Sequence, residues 1–164
     1  MNDSAYRSTA DFIRDLRGSR CAVFAVAEWI HARGWSVDIP AIQETPTAEA
    51  RAAYADEGDI FAYGRAPRRR IEVKNPRGWF TGPADWPWPH VFVASKEAAD
   101  REGGSAAAYF IVNAGLTHAA VIHRRTREDW YVVSTAASNR GGTYPVYACP
   151  IELVEFVSLL GEAA

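Results

Sequence analysis

The sequence predicts a protein of the mixed α/β (α+β) class, with a central mixed β-sheet flanked by helices. Three observations favour this class. The chain has 164 residues, enough for one domain with a well-buried core. Its content of 48% hydrophobic and 23% charged residues is that of a globular protein and excludes a disordered or fibrous chain. The spacing of apolar residues is helical near both ends and alternates between them, as in strands. We therefore expect a single domain over residues 1–164.

Two helices are predicted before the first strand. The first covers about residues 8–17 and ends at Gly18. Ser19 is then a suitable N-cap for a second helix over residues 20–33, which Gly34 ends. The segment CAVFAVAEWI makes this second helix apolar on most faces, so we expect it to be buried on most faces, with Glu28 in its middle.

Short strands are predicted after the helices, separated by segments rich in glycine and proline. WSVDIP reads as a strand, and residues 41–57 read as a loop or loose helix. GDIFAYG and RRRIEVK are expected to pair as a hairpin joined at residues 64–67. The remaining segments are predicted in this order: an ordered loop at 75–90, a strand at 91–95, a helical turn or two from Lys96, three strands of an antiparallel meander (107–115, 118–125 and 129–135), an extended piece at 144–150, and a closing helix at 151–160.

Composition excludes several classes of protein. No apolar run approaches the length of roughly 20 residues that spans a bilayer, and the amino terminus lacks the apolar core of a signal peptide, so we expect no membrane association. Cys21 and Cys149 are too few for a disulfide scaffold or a thiolate metal site, so we expect a reducing, cytoplasmic location. With 18 Lys and Arg against 20 Asp and Glu, the net charge of −2 excludes a uniformly basic coat protein but permits a locally basic cleft.

One group of residues has the composition of a catalytic site. In the strand RRIEVK, Ile71 and Val73 point to one face, and Glu72 and Lys74 point to the other. In the predicted hairpin, Asp59 at the start of the neighbouring strand approaches Glu72. Two carboxylates in one place repel unless a cation is present, and a hard divalent ion such as Mg²⁺ removes that repulsion. A metal held this way polarises a phosphodiester, and a neighbouring lysine orients the attacking water or neutralises charge on the phosphate.

The alternative is an exposed cross-strand Glu–Lys pair, worth about 0.2–1 kcal/mol. Three features favour the catalytic interpretation. Asp59 follows Gly58 at a strand start, at the spacing that a hairpin needs. Lys74 and Lys96 are the only lysines among 18 basic residues, and the others are arginines. A lysine rather than an arginine at position 74 therefore indicates a requirement for a compact ammonium group. Glu28 lies on an apolar helix, where an unpaired carboxylate is expensive to bury.

This order of residues resembles the PD-(D/E)xK nuclease superfamily: Glu28 on a helix, then GDI with Asp59, then IEVK with Glu72 and Lys74. The resemblance covers about residues 19–112 as the core, with the strands and helix of 113–161 as an extension. The resemblance implies a restriction-endonuclease-like core of a helix, a three-stranded meander, a second helix and a further strand. The longer sequence pattern is also similar to small nuclease-like proteins encoded in phages and prophages.

The resemblance implies a role for each residue that matches the superfamily motif. Asp59 and Glu72 match the metal ligands of the catalytic site, and Lys74 matches the catalytic lysine. Glu28 matches a helix glutamate that many members add to the metal shell. Gly58 stands where the superfamily has a proline. The function implied is a Mg²⁺- or Mn²⁺-dependent deoxyribonuclease, and such enzymes often act as homodimers.

A basic strip surrounds this motif. Six positive charges against Glu72 give a local excess of five over residues 65–77, namely Arg65, Arg68, Arg69, Arg70, Lys74 and Arg77. Such a strip suits a phosphate backbone, and its alternative is a solvated hairpin turn. We expect nucleic acid, with DNA as the substrate, to contact Arg68, Arg69, Arg70, Arg77, Lys96 and Trp79. For Lys96 the alternative is a surface lysine at the start of a helix.

The Pro-rich loop at 75–90 carries four aromatic residues, Trp79, Phe80, Trp86 and Trp88. They could stack on unpaired bases or wedge a distorted duplex, and the alternative is a small core that anchors the loop. Two other kinds of function also fit the sequence. One is a catalytically inactive nuclease-fold module that binds nucleic acid or a protein partner, and the other is a phage accessory protein or inhibitor that uses this loop as a protein-binding surface. RNA and duplex, single-stranded or branched DNA are all compatible with the residues.

Overall fold

A computed structural model of the chain describes residues 9–41, 58–64, 67–76, 78–101, 106–136 and 143–161. The helices and strands of this part are, in chain order, α1 (Thr9–His31), β1 (Ser36–Asp38), β2 (Ile60–Tyr63), β3 (Arg69–Lys74), β4 (His90–Ser95), α2 (Lys96–Asp100), β5 (Ala108–Val112), β6 (His118–His123), β7 (Tyr131–Ala136), β8 (Thr143–Pro150) and β9 (Glu155–Ser158). Two 3₁₀ turns, Arg124–Asp129 and Ile151–Leu153, follow β6 and β8. No helix in these ranges is long and apolar enough to cross a membrane.

The strands form two sheets. A six-stranded sheet has the order β1-β2-β3-β5-β6-β9, and a three-stranded sheet has the order β4-β8-β7. In the larger sheet β3 and β5 are parallel, whereas the other neighbours are antiparallel. This arrangement confirms the mixed α+β class and the mixed sheet. The predicted hairpin is also confirmed, with Ile60 opposite Ile71 in β2 and β3. The prediction for residues 42–57 lies outside the described part of the chain.

The larger sheet separates two hydrophobic cores. Along β5, Phe110 and its even-numbered neighbours face α1, while Tyr109 and Ile111 face the smaller sheet. Each face of a strand takes every second residue, so a strand buried on both faces reads as a continuous apolar run. The segment AYFIV is such a run, and all five of its residues are buried. The sheet is thus flanked by one long helix on one face and by the smaller sheet on the other, rather than by helices on both.

The amino-terminal prediction of two helices is wrong, because α1 runs without interruption through Gly18. A glycine inside a helix costs only about 0.5–1 kcal/mol relative to alanine, and the turns that follow recover this by packing on the sheet. The expectation that the helix is buried on most faces is also wrong. Its sheet side is buried, whereas its opposite side is exposed, with 53% of Phe24 accessible. Cys21, Glu28 and His31 share that exposed side.

The closing helix predicted at 151–160 is wrong as well. After a single 3₁₀ turn the chain forms β9, which pairs with β6. Val154 and Phe156 pack against the core beneath the smaller sheet, while Val157 and Leu159 pack against the core beneath α1. The segment is apolar on both alternating faces, and such a pattern fits a buried strand as well as a helix. Pairing with β6 decides between them, since it satisfies a row of backbone groups.

The predicted meander is correct for its first two strands only. β5 and β6 are antiparallel neighbours, but β7 leaves the larger sheet and pairs with β8, with Val133 opposite Val146. The 3₁₀ turn after β6 redirects the chain, and Trp130 at its end is buried against Tyr109. The short helix α2 is confirmed and is capped by the hydroxyl of Ser95, which accepts from the Ala98 amide. Residues 78–89 form no regular helix or strand, as predicted.

Candidate functional site

The hairpin of β2 and β3 places two carboxylates side by side. Ile60 lies opposite Ile71, and extending this antiparallel register by one residue sets Asp59 opposite Glu72. Oδ2 of Asp59 accepts a hydrogen bond of 2.7 Å from the amide of Val73, which fixes the Asp59 side chain against β3. The structure therefore brings together the two acids that the sequence predicted as a pair.

Glu72 and Lys74 lie on the face of β3 that looks toward the smaller sheet. The intervening residue Val73 and its neighbour Ile71 are buried against α1, as the alternation predicted. Glu72 stays accessible, with 21% of its side chain exposed. One face of β3 therefore packs in the hydrophobic core, and the other carries the charged side chains.

Lys74 is held at the junction of the two sheets. Its ammonium group donates a hydrogen bond to the carbonyl oxygen of Val93 in β4, and it lies 5.9 Å from the centre of the Tyr109 ring. Burial lowers the pKa of Lys74, and the negative charges of Glu72 and Asp59 oppose that shift. The three groups are therefore electrostatically coupled, with a desolvated cation beside two acids.

Arg70 is the nearest cationic partner of Glu72. Its Nε donates to Oε1 of Glu72 at 2.9 Å, and the two residues are two apart on one strand, so they share a face. The Glu72 side chain is only partly solvated, so water stabilises its negative charge incompletely. The guanidinium group of Arg70 supplies the remaining compensation. Arg70 was predicted to contact nucleic acid, and this arrangement places it between the carboxylate pair and the basic surface described next.

A depression at the beginnings of β3 and β5 is lined by arginines. We call it the arginine depression, and its lining residues are Arg68, Arg69, Arg70, Ala107, Arg124 and Arg125. Backbone hydrogen bonds hold it together, since the Ala107 amide donates to the Arg70 carbonyl at 2.8 Å and the Arg124 amide donates to the Ala107 carbonyl at 3.0 Å. The guanidinium group of Arg68 lies 3.5 Å from the centre of the Phe61 ring. Such stacking fixes the plane of a guanidinium group while its N–H edge can still donate.

Arg124 and Arg125 were not predicted as site residues. They are more than 50 positions away from Arg70 in the sequence and reach it only through the pairing of β5 with β6, which sets Ala108 opposite His123. The signal that could have found them is the pair of arginines at the end of the strand predicted at 118–125. β6 ends there beside the start of β5, and β5 runs parallel to β3, so the residues that follow β6 lie near the start of β3.

Glu28 does not join the carboxylate pair. It lies on the exposed side of α1, which packs on the opposite face of the sheet from Glu72. In the described ranges no group of three or more His, Cys, Asp or Glu side chains is placed to hold a metal ion. Asp59 and Glu72 alone still fit Mg²⁺, because this ion is commonly bound by one or two carboxylates together with water and substrate phosphates. The donors that fit are thus two acids rather than the predicted three.

The other predicted contacts with nucleic acid have different surroundings. Lys96 forms an ion pair with Asp100 one turn later in α2, and this hydrogen bond raises the pKa of Lys96. Asp100 also accepts from Arg127 at 2.8 Å, so the cluster ties α2 to the 3₁₀ turn after β6. These contacts favour the alternative of a structural surface lysine. Arg77 and Arg65 lie outside the described residues.

The aromatic loop is anchored by part of its own aromatic set. Phe80 is buried and meets the edge of the Trp86 ring, with the two ring centres 4.9 Å apart. The carboxylate of Asp85 accepts hydrogen bonds from the Thr81 and Gly82 amides, which lowers the pKa of Asp85. These contacts agree with the small-core alternative for Phe80 and Trp86.

The remaining aromatic residues of the loop stay accessible. Trp79 is 75% exposed, and Trp88 is 59% exposed. Gly115 lies against the Trp79 ring, since a Cβ atom at Gly115 would come within 2.8 Å of it. Trp79 therefore keeps an accessible ring, as its predicted contact with nucleic acid requires.

Comparisons with family models, with curated proteins and with solved structures each found no match to this chain. The fold and the site define it as an α+β protein in which a carboxylate pair, a half-buried lysine and an arginine-lined depression lie around β3.

Proposed function

We propose that the protein is a metal-dependent nuclease of the PD-(D/E)xK type that hydrolyses phosphodiester bonds in DNA. One observation carries this proposal: the hairpin register sets Asp59 opposite Glu72, with the ammonium group of Lys74 coupled to both acids. Two hard oxygen donors beside a cation form the set of groups that metal-assisted hydrolysis of a phosphodiester needs.

The arginine depression supports the choice of a nucleic acid as substrate. Five arginine residues line one concave surface, and guanidinium groups bind phosphate oxygens through two parallel hydrogen bonds. The depression lies at the start of β3, while Glu72 lies in the middle of the same strand. A β-strand rises by about 3.3 Å per residue, so only a few residues of β3 separate the depression from the carboxylate pair. A DNA backbone bound in the depression can therefore reach the carboxylate pair.

Arg70 connects the two parts of the proposed site. It lines the depression and also donates to Glu72. A bound phosphate group competes for the same guanidinium group, and when Arg70 turns to the phosphate, the Glu72 carboxylate becomes available as a metal ligand. Substrate binding and assembly of the metal site are thereby linked through one side chain.

Asp59 and Glu72 would hold Mg²⁺ or Mn²⁺, which supplies polarisation of the phosphodiester and a bound water of lowered pKa. The chain's own contribution to the reaction is geometric and electrostatic. The Val73 amide orients Asp59, and the Val93 carbonyl oxygen positions the ammonium group of Lys74. Lys74 then stabilises the negative charge that develops on the phosphate, at a position that requires little reorganisation during the reaction.

A second candidate function is a catalytically inactive nuclease-fold module that binds nucleic acid. The ion pair of Arg70 with Glu72 favours it, because a carboxylate neutralised by an arginine needs no metal ion. A gel-shift assay and a cleavage assay on the same labelled DNA separate the two functions. DNA binding without cleavage in Mg²⁺ and in Mn²⁺ would support the binding module.

The nuclease proposal is tested with purified protein on single-stranded, duplex and branched DNA, with Mg²⁺, Mn²⁺ or EDTA. We expect cleavage with either metal and none with EDTA. Lys74→Ala and Asp59→Asn should abolish cleavage while their circular dichroism spectra and DNA affinities stay close to those of the wild type. Cleavage that persists in EDTA or in Asp59→Asn would refute the proposal.

A further inference from the structure

A second concave site lies on the opposite face of the sheet from the carboxylate pair. It is a cavity of about 160 Å³ between the end of α1 and the sheet. Its walls combine aromatic rings with cationic side chains, the principal ones being Trp29, Trp35, Phe110, Arg33, Arg69 and His123. A cavity of about 150 Å³ is large enough to admit a benzene ring, so this one can receive a single flat ring system.

The two tryptophans are held in defined positions. The indole N–H of Trp29 donates to the Ser158 carbonyl oxygen at 2.8 Å, and its ring meets the edge of Phe110 with ring centres 5.8 Å apart. The ring of Trp35 lies against Gly64, where an added Cβ atom would come within 2.7 Å of it. Rings fixed in this way offer a stacking surface without the entropic cost of ordering them.

The cavity also contains cationic groups that suit an electron-rich ring. The guanidinium group of Arg33 lies 3.5 Å from the centre of the Trp29 ring, and that of Arg69 lies 5.2 Å from the centre of the Trp35 ring. Nucleobases stack both on aromatic side chains and on the planes of arginine side chains. The walls of this cavity provide both kinds of surface.

The cavity adjoins the arginine depression. Arg69 and Ala107 line both of them, so an apolar, aromatic site opens directly beside a surface with a strong positive charge. A ligand that matches both carries a flat ring at one end and phosphate groups at the other. A nucleotide has this composition, and its base is free to enter a cavity only when it is neither paired nor stacked in a duplex.

We propose that this cavity binds the unpaired base of single-stranded DNA while the adjoining phosphates lie in the arginine depression. The inference deepens the proposed nuclease function, on which its biological meaning rests, by naming a strand with an unpaired nucleotide as the substrate class. The backbone then passes over the beginnings of β3 and β5 toward Glu72 on the other face. The base on one side of the sheet thus sets which phosphate reaches the carboxylate pair.

Fluorescence anisotropy in EDTA tests this inference, since no cleavage occurs there. The probes are labelled oligodeoxythymidine, a strand of the same length made of abasic sites, and the oligodeoxythymidine paired with its complement. All three carry the same backbone chemistry. We expect the single strand to bind about 5- to 140-fold more tightly than the abasic strand, which corresponds to 1–3 kcal/mol of stacking for one base. The duplex, whose bases are paired, should lose this advantage over the abasic strand. Equal affinity for oligodeoxythymidine and the abasic strand would overturn the inference.

A pair of tryptophan variants locates the effect. Trp35→Leu should remove most of the preference for base-bearing DNA, and Trp35→Phe, which restores a flat ring, should recover part of it. Phe24→Leu is the matched control, because Phe24 is an exposed aromatic residue on the outer side of α1 and does not line the cavity. If the Trp35 variants do not fold, quenching of tryptophan fluorescence by oligodeoxythymidine and not by the abasic strand supplies the same answer in a variant with Trp79→Phe and Trp88→Phe, which removes the two exposed tryptophans outside the cavity.

The two proposals fail separately. A protein that prefers base-bearing strands but cleaves no DNA would refute the nuclease and leave the base-binding cavity standing. A protein that cleaves DNA with equal affinity for abasic and base-bearing strands would refute only the cavity. The same anisotropy series on Lys74→Ala gives the base preference independently of any cleavage.

Discussion

Removing two arginines from the arginine depression should change how steeply DNA binding depends on salt. The variant is Arg124→Ala combined with Arg125→Ala, because these two residues line the depression and neither contacts the carboxylate pair in the way that Arg70 does. Both side chains lie after the end of β6 and are exposed, so their truncation should leave the cores intact. The double variant therefore tests the depression without altering the proposed catalytic residues.

The expected size of the effect follows from the number of charges. Each phosphate neutralised on single-stranded DNA contributes about −0.7 to the slope of log affinity against log salt. Five arginines in the depression predict a slope of about −3.5, so raising the salt from about 50 mM to about 200 mM should weaken binding about 130-fold. Three arginines predict a slope of about −2.1 and a loss of about 20-fold over the same interval.

Fluorescence anisotropy titrations at four or more salt concentrations, in EDTA, measure the slope. Arg101→Ala is the matched control, since Arg101 is exposed and pairs with Glu97 on α2, away from the depression. The reasoning is refuted if the double variant keeps the wild-type slope, or if the control loses as much slope as the double variant. Either result would mean that the DNA backbone does not lie in the depression.

Two further predictions concern the buried polar groups. Burial lowers the pKa of Lys74 in the folded protein, so the unfolded state binds more protons just below the ordinary value of 10.5 and stability rises with pH in that window. The free energy of unfolding of the wild type, relative to Lys74→Met, should therefore increase as the pH approaches 10.5, and a flat difference would contradict the burial of the ammonium group. Asn113→Ala should lower the free energy of unfolding by about 3 kcal/mol in urea denaturation, because the side chain is fully buried and its loss leaves the Phe80 carbonyl and the Thr117 and His118 amides without this partner. A loss under about 1 kcal/mol would show that water or rearrangement replaces these bonds.

The carboxylate pair could be predicted from the sequence because it depends on local geometry. Alternation along β3 separates Glu72 from Val73, and the short hairpin fixes which residue of β2 lies opposite. The ion pair of Arg70 with Glu72 follows from the same alternation, since residues two apart on a strand share a face. The exposed position of Glu28 was not predicted, because CAVFAVAEWI is apolar at so many positions that its pattern does not single out one buried side of the helix.

The arginine depression could not be predicted in full because it depends on the order of strands in the sheet. Arg124 reaches Arg70 only when β5 lies parallel to β3 and antiparallel to β6. A sequence read segment by segment does not specify which strands become neighbours. The carboxy-terminal segment shows the same limit. Its apolar pattern fits both a helix and a strand, and it forms a strand because it pairs with the free edge of β6.

The cleavage rates of two matched glutamate variants test the central claim most directly. Glu72→Gln and Glu28→Gln remove the same charge in the same kind of side chain, one beside Asp59 and the other on the exposed side of α1. With Mg²⁺ and labelled single-stranded DNA, Glu72→Gln should lose cleavage, whereas Glu28→Gln should cleave at the wild-type rate. Cleavage that survives Glu72→Gln, or that is lost in Glu28→Gln, would contradict a catalytic site built on Asp59, Glu72 and Lys74.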